Sequence, residues 1–506
     1  MAPPAVGIDL GTTNSVAASV DAAGRPFSIP AFDGAVLTPS MVLVEGRAVT
    51  VGREAGKAAP FHPERFAEYF KRYIGHDAYP RAVDGRTWRP EVLSALVLRR
   101  LRNDVTRRLG PVEEAVVTVP AYFDELRRRA TWNAAVIAGW QPVDLINEPT
   151  AAAIAYAHRH GGPPADQPVH VLVYDLGGGT FDVTVLQIVR GREYRALATD
   201  GDARLGGQDW DNLLAAVLAE QFKRKSGTDP MAAARSKIEF MQVTRQVKHN
   251  LSSRKKVTAP CACAGKKVML EAERAEFEWL TLPLLNRTRM TTELVLGQAR
   301  KTWADIDRVL LVGGATRMPM VGAMFEQLTG RPPDATLDAD EAVAHGAAVY
   351  AALRRQPDGP RVVDVNSHSY RVLCHDRQRR LVAVSMVDRN TPLPAEATRP
   401  FPISQAALSK VAITVVEGEV DDPTMCEALG EIVVQIPPAV DDRKRLAYVT
   451  VVCRADGGLT GMTRVKVAGD KEDFAPATSV ELVPRKGLTA EQVAEYRRWM
   501  DTLELG

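Results

Sequence analysis

The sequence predicts a two-lobed α/β domain over residues 1–355, a linker over 356–366, a small, mostly β sandwich over 367–487 and a short C-terminal helix over 488–506. Three observations lead there. First, one order of residue types (apolar strand, Asp, Leu, Gly, Thr, apolar strand) occurs at residues 6–16 and again at 171–188. Second, Gln356-Pro357-Asp358-Gly359-Pro360 breaks both composition and helical pattern. Third, strand-like alternation follows that break, as in Val411, Ile413 and Val415.

The first repeat reads Val6-Gly7-Ile8-Asp9-Leu10-Gly11-Thr12-Thr13-Asn14-Ser15-Val16. The second opens with Val171-Leu172-Val173-Tyr174-Asp175-Leu176, turns at Gly177-Gly178-Gly179, and returns through Thr180, Phe181 and Asp182 to Ile188. Apolar, β-branched runs predict buried strands, and the glycines permit a tight turn. The tip of such a hairpin exposes N–H groups that suit phosphate oxygens. An Asp at its base suits hydrated Mg2+, which takes one or two carboxylates together with water and phosphate. Two such hairpins imply two similar lobes closing on one nucleotide. The Walker A and G-x-G-x-x-G spacings are absent from these turns.

At these residues the chain resembles the DnaK-type seventy-kilodalton heat-shock chaperones, within the actin-like ATPase superfamily. Four further segments carry the resemblance, in the family's order. They are Val116-Val117-Thr118-Val119-Pro120-Ala121-Tyr122-Phe123, Ile146-Asn147-Glu148-Pro149-Thr150-Ala151-Ala152-Ala153, Leu205-Gly206-Gly207-Gln208-Asp209-Trp210-Asp211 and Leu311-Val312-Gly313-Gly314-Ala315-Thr316-Arg317-Met318-Pro319.

Element by element, 21–60 reads as short strands with turns at Ala23-Gly24 and Asp33-Gly34. An amphipathic helix is predicted over 63–75, with Phe66, Tyr69, Phe70 and Tyr73 as its apolar positions. A strong helix follows over 90–109, opened by Pro90 and stopped by Gly110. After a strand at 115–120, Asp124 can cap a helix to Ile137. A strand at 143–146 leads to Glu148, which stands at the mouth of a helix over 150–158 because Pro149 suits its first turn. From the residues alone, Glu148 is equally a cleft carboxylate or a helix-end charge favoured by the dipole. Helices are predicted over 211–225, 232–251, 275–301 and 340–352, with a buried strand at 309–312. Beyond the linker, strands at 431–436, 448–453 and 462–467 fit a sandwich, the last two joined at Asp456-Gly457-Gly458. Thr489 and Gln492 form a capping box for a last helix over 490–504. Its stripe of Val493, Tyr496, Met500 and Leu503 is expected to pack on the sandwich rather than meet a partner.

Composition places bounds. At 506 residues two or more domains are expected. Apolar content of 45% and charged content of 25% are those of an ordinary globular chain, and a net charge of +2 points to neither nucleic acid nor a membrane surface. No signal peptide and no membrane-spanning run is read, so a cytoplasmic location is expected. Cys261, Cys263, Cys374, Cys426 and Cys453 make no disulfide framework. Cys261 and Cys263 read as incidental thiols rather than metal ligands, for lack of a second pair.

The resemblance implies roles for individual residues. ATP and ADP are the implied nucleotides, with Mg2+ at Asp9 and Asp175 and room for K+ as a further ion. Gly11, Thr12, Thr13, Asn14, Gly177, Gly178, Gly179, Thr180, Gly206 and Gly207 are implied around the phosphates, and Gly313, Gly314, Arg317 and Asp340 around adenine and phosphate. Asp9, Glu148, Asp175 and Asp182 are the candidate catalytic carboxylates, with Glu148 and Asp182 orienting or deprotonating the attacking water. On the helix over 232–251, Arg245, Lys248 and Ser252 share a face; read alone, this is a solvated basic face. The family uses a Glu, a Lys and a Ser there for the adenosine, so Lys248 and Ser252 match and Arg245 does not. The family's catalytic Lys is not found after Lys71-Arg72-Tyr73-Ile74-Gly75, where Arg81 is the nearest cation. Lys71 fits the earlier segment better, and hydrolysis is therefore expected to be slow or altered.

The implied partners are unfolded or extended polypeptide segments, a J-domain co-chaperone and a nucleotide exchange factor. The linker Arg361-Val362-Val363-Asp364-Val365 is less apolar than the family's, and the family's long helical lid is not followed past its first helix. The leading function is an ATP-dependent chaperone. A nucleotide-responsive binding protein with little hydrolysis is the alternative, and an actin-fold sugar kinase or filament protein a weaker one.

Overall fold

In the computed structural model, residues 4–161, 167–190, 192–354, 356, 359–403, 410–436, 446–455, 458–466, 478–482, 484 and 486–506 are described. Pro357, Asp358, Asp456, Gly457 and Val467, named above in the linker and the last hairpin, lie outside them. The chain forms two compact units. One comprises Met1–Phe123, Arg127–Val362 and Leu488–Gly506; the other comprises Asp124–Leu126 and Val363–Gly487.

The first unit contains the repeat that the sequence announces. In its first lobe, Val6–Asp9 runs parallel to Glu114–Val119 and antiparallel to Asn14–Val20, and Pro26–Ser28 lies beyond. In its second lobe, Val169–Leu176 runs parallel to Arg308–Val312 and antiparallel to Phe181–Val189, and Glu193–Asp202 lies beyond. The order is the same in both, so Asp9 and Asp175 lie at the same end of equivalent strands, Asp9 last in its strand and Asp175 one residue before the last. The strand Gln141–Asn147 extends the first sheet and Arg361–Val363, within the expected linker, extends the second.

Two helices, Glu148–Arg159 and Ala342–Leu353, cross between the sheets with little space between them. A Cβ at Gly346 would stand 1.7 Å from the Ala151 carbonyl oxygen, so no side chain fits there. The helix Pro90–Leu109 has the bounds read from the sequence, and Gly110 after it has φ 83°, as a glycine stop requires. The second lobe adds the helices Gly207–Ser226, Ala234–Ser253 and Arg274–Gln298 and an unpredicted hairpin, Lys256–Cys263 with Lys266–Glu273. Cys261 and Cys263 are buried in that hairpin with sulfurs 3.8 Å apart. Among the described residues, no helix is long and apolar enough to cross a membrane.

Residues 63–75 depart from the expected helix. They form a 3-10 turn Pro63–Arg65, an edge strand Phe66–Glu68 and a second 3-10 turn Phe70–Tyr73, with Tyr69 left-handed at φ 58°. The aromatic spacing does mark a buried face, since Phe66, Tyr69 and Phe70 are buried. The strand hydrogen bonds to Met41–Glu45 decide the backbone instead.

The second unit holds two four-stranded sheets. One orders Leu381–Val387, Tyr370–His375, Lys410–Glu417 and Glu427–Gln435; the other orders Ala395–Pro402, Leu446–Cys453, Leu459–Lys466 and Thr478–Leu482. Val372, Val415 and Ile432 of the first share one apolar core with Val449, Val451 and Leu459 of the second.

The C-terminal helix corrects an expectation. Ala490–Met500 packs on the first lobe of the first unit, not on the second unit's sheets. Val493 and Met500 are buried in the core that holds Leu93 and Leu96, and Trp499 meets Trp88 edge-on at 5.6 Å. Arg497 donates to the Val136 carbonyl, and Glu504–Leu505 pairs in parallel with Ala48 and Val49. A capping box and an apolar stripe specify a helix with a sticky face; they do not say which surface receives it.

Candidate nucleotide site

The two glycine turns face each other across a cleft of about 420 Å3 in the first unit. The first turn is fixed by hydroxyls. Ser40 Oγ donates to the Gly11 carbonyl at 2.7 Å and lies 2.9 Å from Ser15 Oγ, and Gly11 N–H reaches Ser15 Oγ. The second is fixed by backbone. Gly207 and Gln208 N–H groups donate to the Gly177 and Gly178 carbonyls at 2.9 Å each, which hooks the helix Gly207–Ser226 onto the turn. Gly206 makes the approach possible, because a Cβ there would lie 2.5 Å from the Gly179 nitrogen.

Most of the residues singled out in the sequence line this cleft. Asp9, Gly11, Thr12, Thr13 and Asn14 come from the first turn; Asp175, Gly177, Gly178, Thr180 and Gly207 come from the second. Glu148, Lys248, Ser252, Gly313, Gly314, Arg317 and Asp340 complete them. Gly179 and Gly206 pack against one another behind the lining, and Asp182 is buried behind it, accepting the Tyr122 N–H at 2.9 Å. Arg317 is bound to Asp340 and Asp338 at 2.7 and 3.0 Å, and Lys248 to Asp211 at 2.7 Å and the Gly207 carbonyl at 2.8 Å. Tyr69, Gln208 and His249 also line the cleft. His249 follows Lys248 directly, and Tyr69 was read as a helix-packing aromatic, so neither gave a signal of its own.

The main correction concerns Lys71. Lys71 is 3% exposed, and its ammonium bonds Glu148 Oε1 at 2.8 Å, over the Phe123 ring. Arg81 lies elsewhere, donating to the Pro63 and Phe66 carbonyls. The cation that lines the cleft beside Glu148 is thus the Lys of the Lys-Arg-x-x-Gly segment, not Arg81. The left-handed Tyr69 breaks the helical run that would have set Lys71 on an outer face. The stated ground for slow hydrolysis falls with this placement.

Lys71 stands among Asp9, Glu148, Asp175 and Asp182, an excess of negative charge. Burial first, then Glu148, pushes the Asp9 carboxyl up to about 7. Burial and Glu148 do the same to Asp182, also to about 7, against the bond from Tyr122. Asp175 is raised well above the usual range by burial, Glu148, Asp182 and Asp9. Burial pulls Lys71 down, but Glu148 and Asp9 more than offset it and the ammonium is stabilised. Such a cluster calls for a further cation. Among the described residues, no group of three or more His, Cys, Asp and Glu side chains could hold one alone. The buried carboxyls of Asp9 and Asp175 fit an ion that takes one or two carboxylates and completes its shell with water and phosphate, as Mg2+ does.

Comparison with known proteins agrees with this geometry. The profile of the Hsp70 protein family matches residues 5–83 and 78–500. The chain is 36% identical over 501 residues to a chaperone protein DnaK of Halobacterium salinarum, covering 97% of this chain and 77% of that one. It is 37% identical over 446 residues to a chaperone protein DnaK of Thermus thermophilus, covering 82% and 71%. A chaperone protein DnaK of Thermotoga maritima is 36% identical over 449 residues, covering 86% and 74%.

Proposed function

The chain belongs to the Hsp70 family, and from that premise we propose that it is an ATP-dependent DnaK-type chaperone whose first unit binds and hydrolyses ATP and whose second unit binds extended polypeptide. The observation that carries the reading is the Lys71–Glu148 pair among Asp9, Asp175 and Asp182, between two glycine turns of matching topology.

In this reading the N–H groups of Thr12, Thr13, Gly178 and Gly179 hold the phosphate oxygens, since those of Gly11 and Gly177 are bonded within their own turns. Asp9 and Asp175 would hold Mg2+, which would supply charge neutralisation to the phosphates. Lys71, clamped by Glu148, supplies a compact positive charge of the kind Arg81 would replace poorly. Glu148 and Asp182 orient the attacking water and take up its proton. Lys248, Ser252, Gly313, Gly314 and Arg317 surround the nucleoside, and K+ acts as a second ion. The sandwich over 367–487 receives unfolded segments, and the linker strand Arg361–Val363 responds to closure of the lobes. A J-domain co-chaperone and an exchange factor complete the cycle in the cytoplasm. With Lys71 in the cleft, the main argument for a binding protein without hydrolysis is gone.

The test is single-turnover ATP hydrolysis with Mg2+ and K+, with and without an unfolded peptide. Turnover that the peptide accelerates is expected. Tight ATP binding with no turnover would replace this reading with a nucleotide-responsive binding protein.

A further inference from the structure

The helix Arg274–Gln298 of the second lobe turns its largest apolar groups outward. Its buried face is rich in threonine, with Thr281, Thr288 and Thr292 beside Phe277, Leu285, Val295 and Leu296. Each hydroxyl donates to a carbonyl of the helix, Thr281 to Phe277 at 2.8 Å, Thr288 to Leu285 at 2.7 Å and Thr292 to Thr288 at 2.8 Å, so none is buried unpaired. On the outer face Trp279 is 78% exposed and Met290 69%, with Leu282 and Leu294 about half exposed. Exposed Pro283 and Asn286 complete one stripe with them along the helix. A single exposed apolar side chain is ordinary, but a continuous stripe marks an interaction surface. The helix does not line the nucleotide cleft, so the cleft does not account for the stripe.

The polar residues beside the stripe say what covers it. Glu276 and Glu278 lie on its two flanks, and three turns further on an Arg stands on each of the same flanks, Arg287 after Glu276 and Arg289 after Glu278. Among the described residues neither Glu has an ion-pair partner. Arg287 pairs with Asp202 and Arg289 with Glu293 at the exposed surface, where such pairs are weak and exchangeable. A second copy of the helix, laid antiparallel on the stripe about an axis between Leu282 and Pro283, brings each Glu to about 3 Å along the helix from the Arg of the other copy on its own flank. The same axis sets Trp279 opposite Asn286. Pro283 has no N–H to give the Trp279 carbonyl, and the Asn286 amide of the second copy can donate there instead. Met290 then lies over Ala275, whose small side chain leaves room for it.

We propose that this stripe is a self-association surface, through which two copies of the chain pair antiparallel along Arg274–Gln298 as an isologous dimer. Trp279, Leu282 and Met290 supply the apolar contact. The Glu–Arg pairs and Asn286 fix its direction and register. Parallel pairing would set Glu against Glu and Arg against Arg, and an unrelated partner would not require the stripe to match itself. One helix stripe is small beside a standard interface, so the dimer forms reversibly, with a Kd of roughly 10 µM.

The test is sedimentation velocity of the full chain over a dilution series. The parent should pass from monomer to dimer around that concentration. Trp279→Asp should weaken association at least about tenfold, because it puts a charge into the apolar contact. The double variants Glu276→Arg/Glu278→Arg and Arg287→Glu/Arg289→Glu should each weaken it about tenfold, because like charges then face one another on both flanks. Mixed in equal amounts, the two double variants should pair at least as tightly as the parent, since every flank is complementary again. Trp279→Asp, at an exposed position, serves where an Arg287 variant folds poorly for want of its bond to Asp202. A parent still monomeric at about 300 µM, a Trp279→Asp chain that dimerises like the parent, or a mixture no tighter than either double variant alone would overturn the pairing.

Discussion

Two sites, one in each unit, use carboxylates in opposite ways. In the first, Asp9, Glu148, Asp175 and Asp182 crowd around Lys71, and burial with mutual repulsion raises Asp9 and Asp182 to about 7. In the second, Glu419 is about half-buried, yet bonds from His368 and from Ser369 outweigh its desolvation and hold it down at about 2. Ser369 N–H reaches one Glu419 oxygen at 2.9 Å and Ser369 Oγ the other at 2.8 Å. Glu419 is a satisfied acceptor that holds a loop in place. The first cluster is under-satisfied, which makes it a poor structural device and a good receptor for cationic ligands. The same residue type thus marks a scaffold in one unit and a reactive site in the other, and the partners decide which.

The sharpest way to break this contrast is to remove the cation that makes the first cluster tolerable. Lys71→Met should lower the single-turnover rate of ATP hydrolysis at least about 100-fold, the scale for losing a preorganised charge-stabilising group. A rate within threefold of the parent would mean that Lys71 only balances charge. Arg81→Ala should leave that rate unchanged, since Arg81 bonds the Pro63 and Phe66 carbonyls and does not line the cleft.

Much of this was legible in the sequence because the repeat carries its own check. An Asp-Leu-Gly after an apolar strand is weak once and strong twice, and Asp9 and Asp175 do lie at the same end of equivalent strands. Lys71 was misjudged for a local reason. The aromatic spacing from Phe66 to Tyr73 fits a helix, and only long-range pairing of Phe66–Glu68 with Met41–Glu45 makes it a strand and a turn. Arg245 stands where the family has Glu, and its partner, Glu68, gives no sign in the sequence because it lies far away in the chain and on the other lobe. The last helix showed its cap and stripe but not the first-lobe core that receives Val493 and Met500. Local rules give elements; which surfaces meet depends on contacts that a single sequence does not display.

A smaller effect of opposite sign sharpens the comparison. Asp182→Asn keeps the shape and an acceptor for Tyr122 N–H while removing one repelling charge. It should stabilise the nucleotide-free chain at pH 8 by about 1 kcal/mol and slow hydrolysis, the usual exchange between stability and activity at a charged site. Glu419→Gln removes a carboxylate that is well bonded and should cost about 1 kcal/mol, with peptide-free hydrolysis unchanged. Urea unfolding of both variants checks the pair. Two changes of the same sign would end the distinction between the units.

The last expectation is the pH dependence, where the two sites should again differ in sign. Asp9 and Asp182 titrate near 7 in the folded chain and near about 4 when unfolded. Between those values the folded state binds more protons, so their contribution to stability falls as pH rises from about 4 to about 7. Glu419 titrates at about 2 when folded, below its unfolded value. Its contribution is complete above the unfolded value and is lost as pH falls towards about 2. Hydrogen exchange followed across pH separates the two. In the nucleotide-free chain, protection in the strands Val6–Asp9 and Val169–Leu176 should weaken between pH 5 and pH 7, whereas Glu419→Gln should change the stability of the chain by the same amount at pH 5 and at pH 7. Mg2+ with ADP should abolish the first trend, because it pairs the carboxylates that repel one another. A nucleotide-free chain whose first-unit protection rises over that window would mean that Asp9 and Asp182 are already neutralised by partners, and that the site needs no further cation.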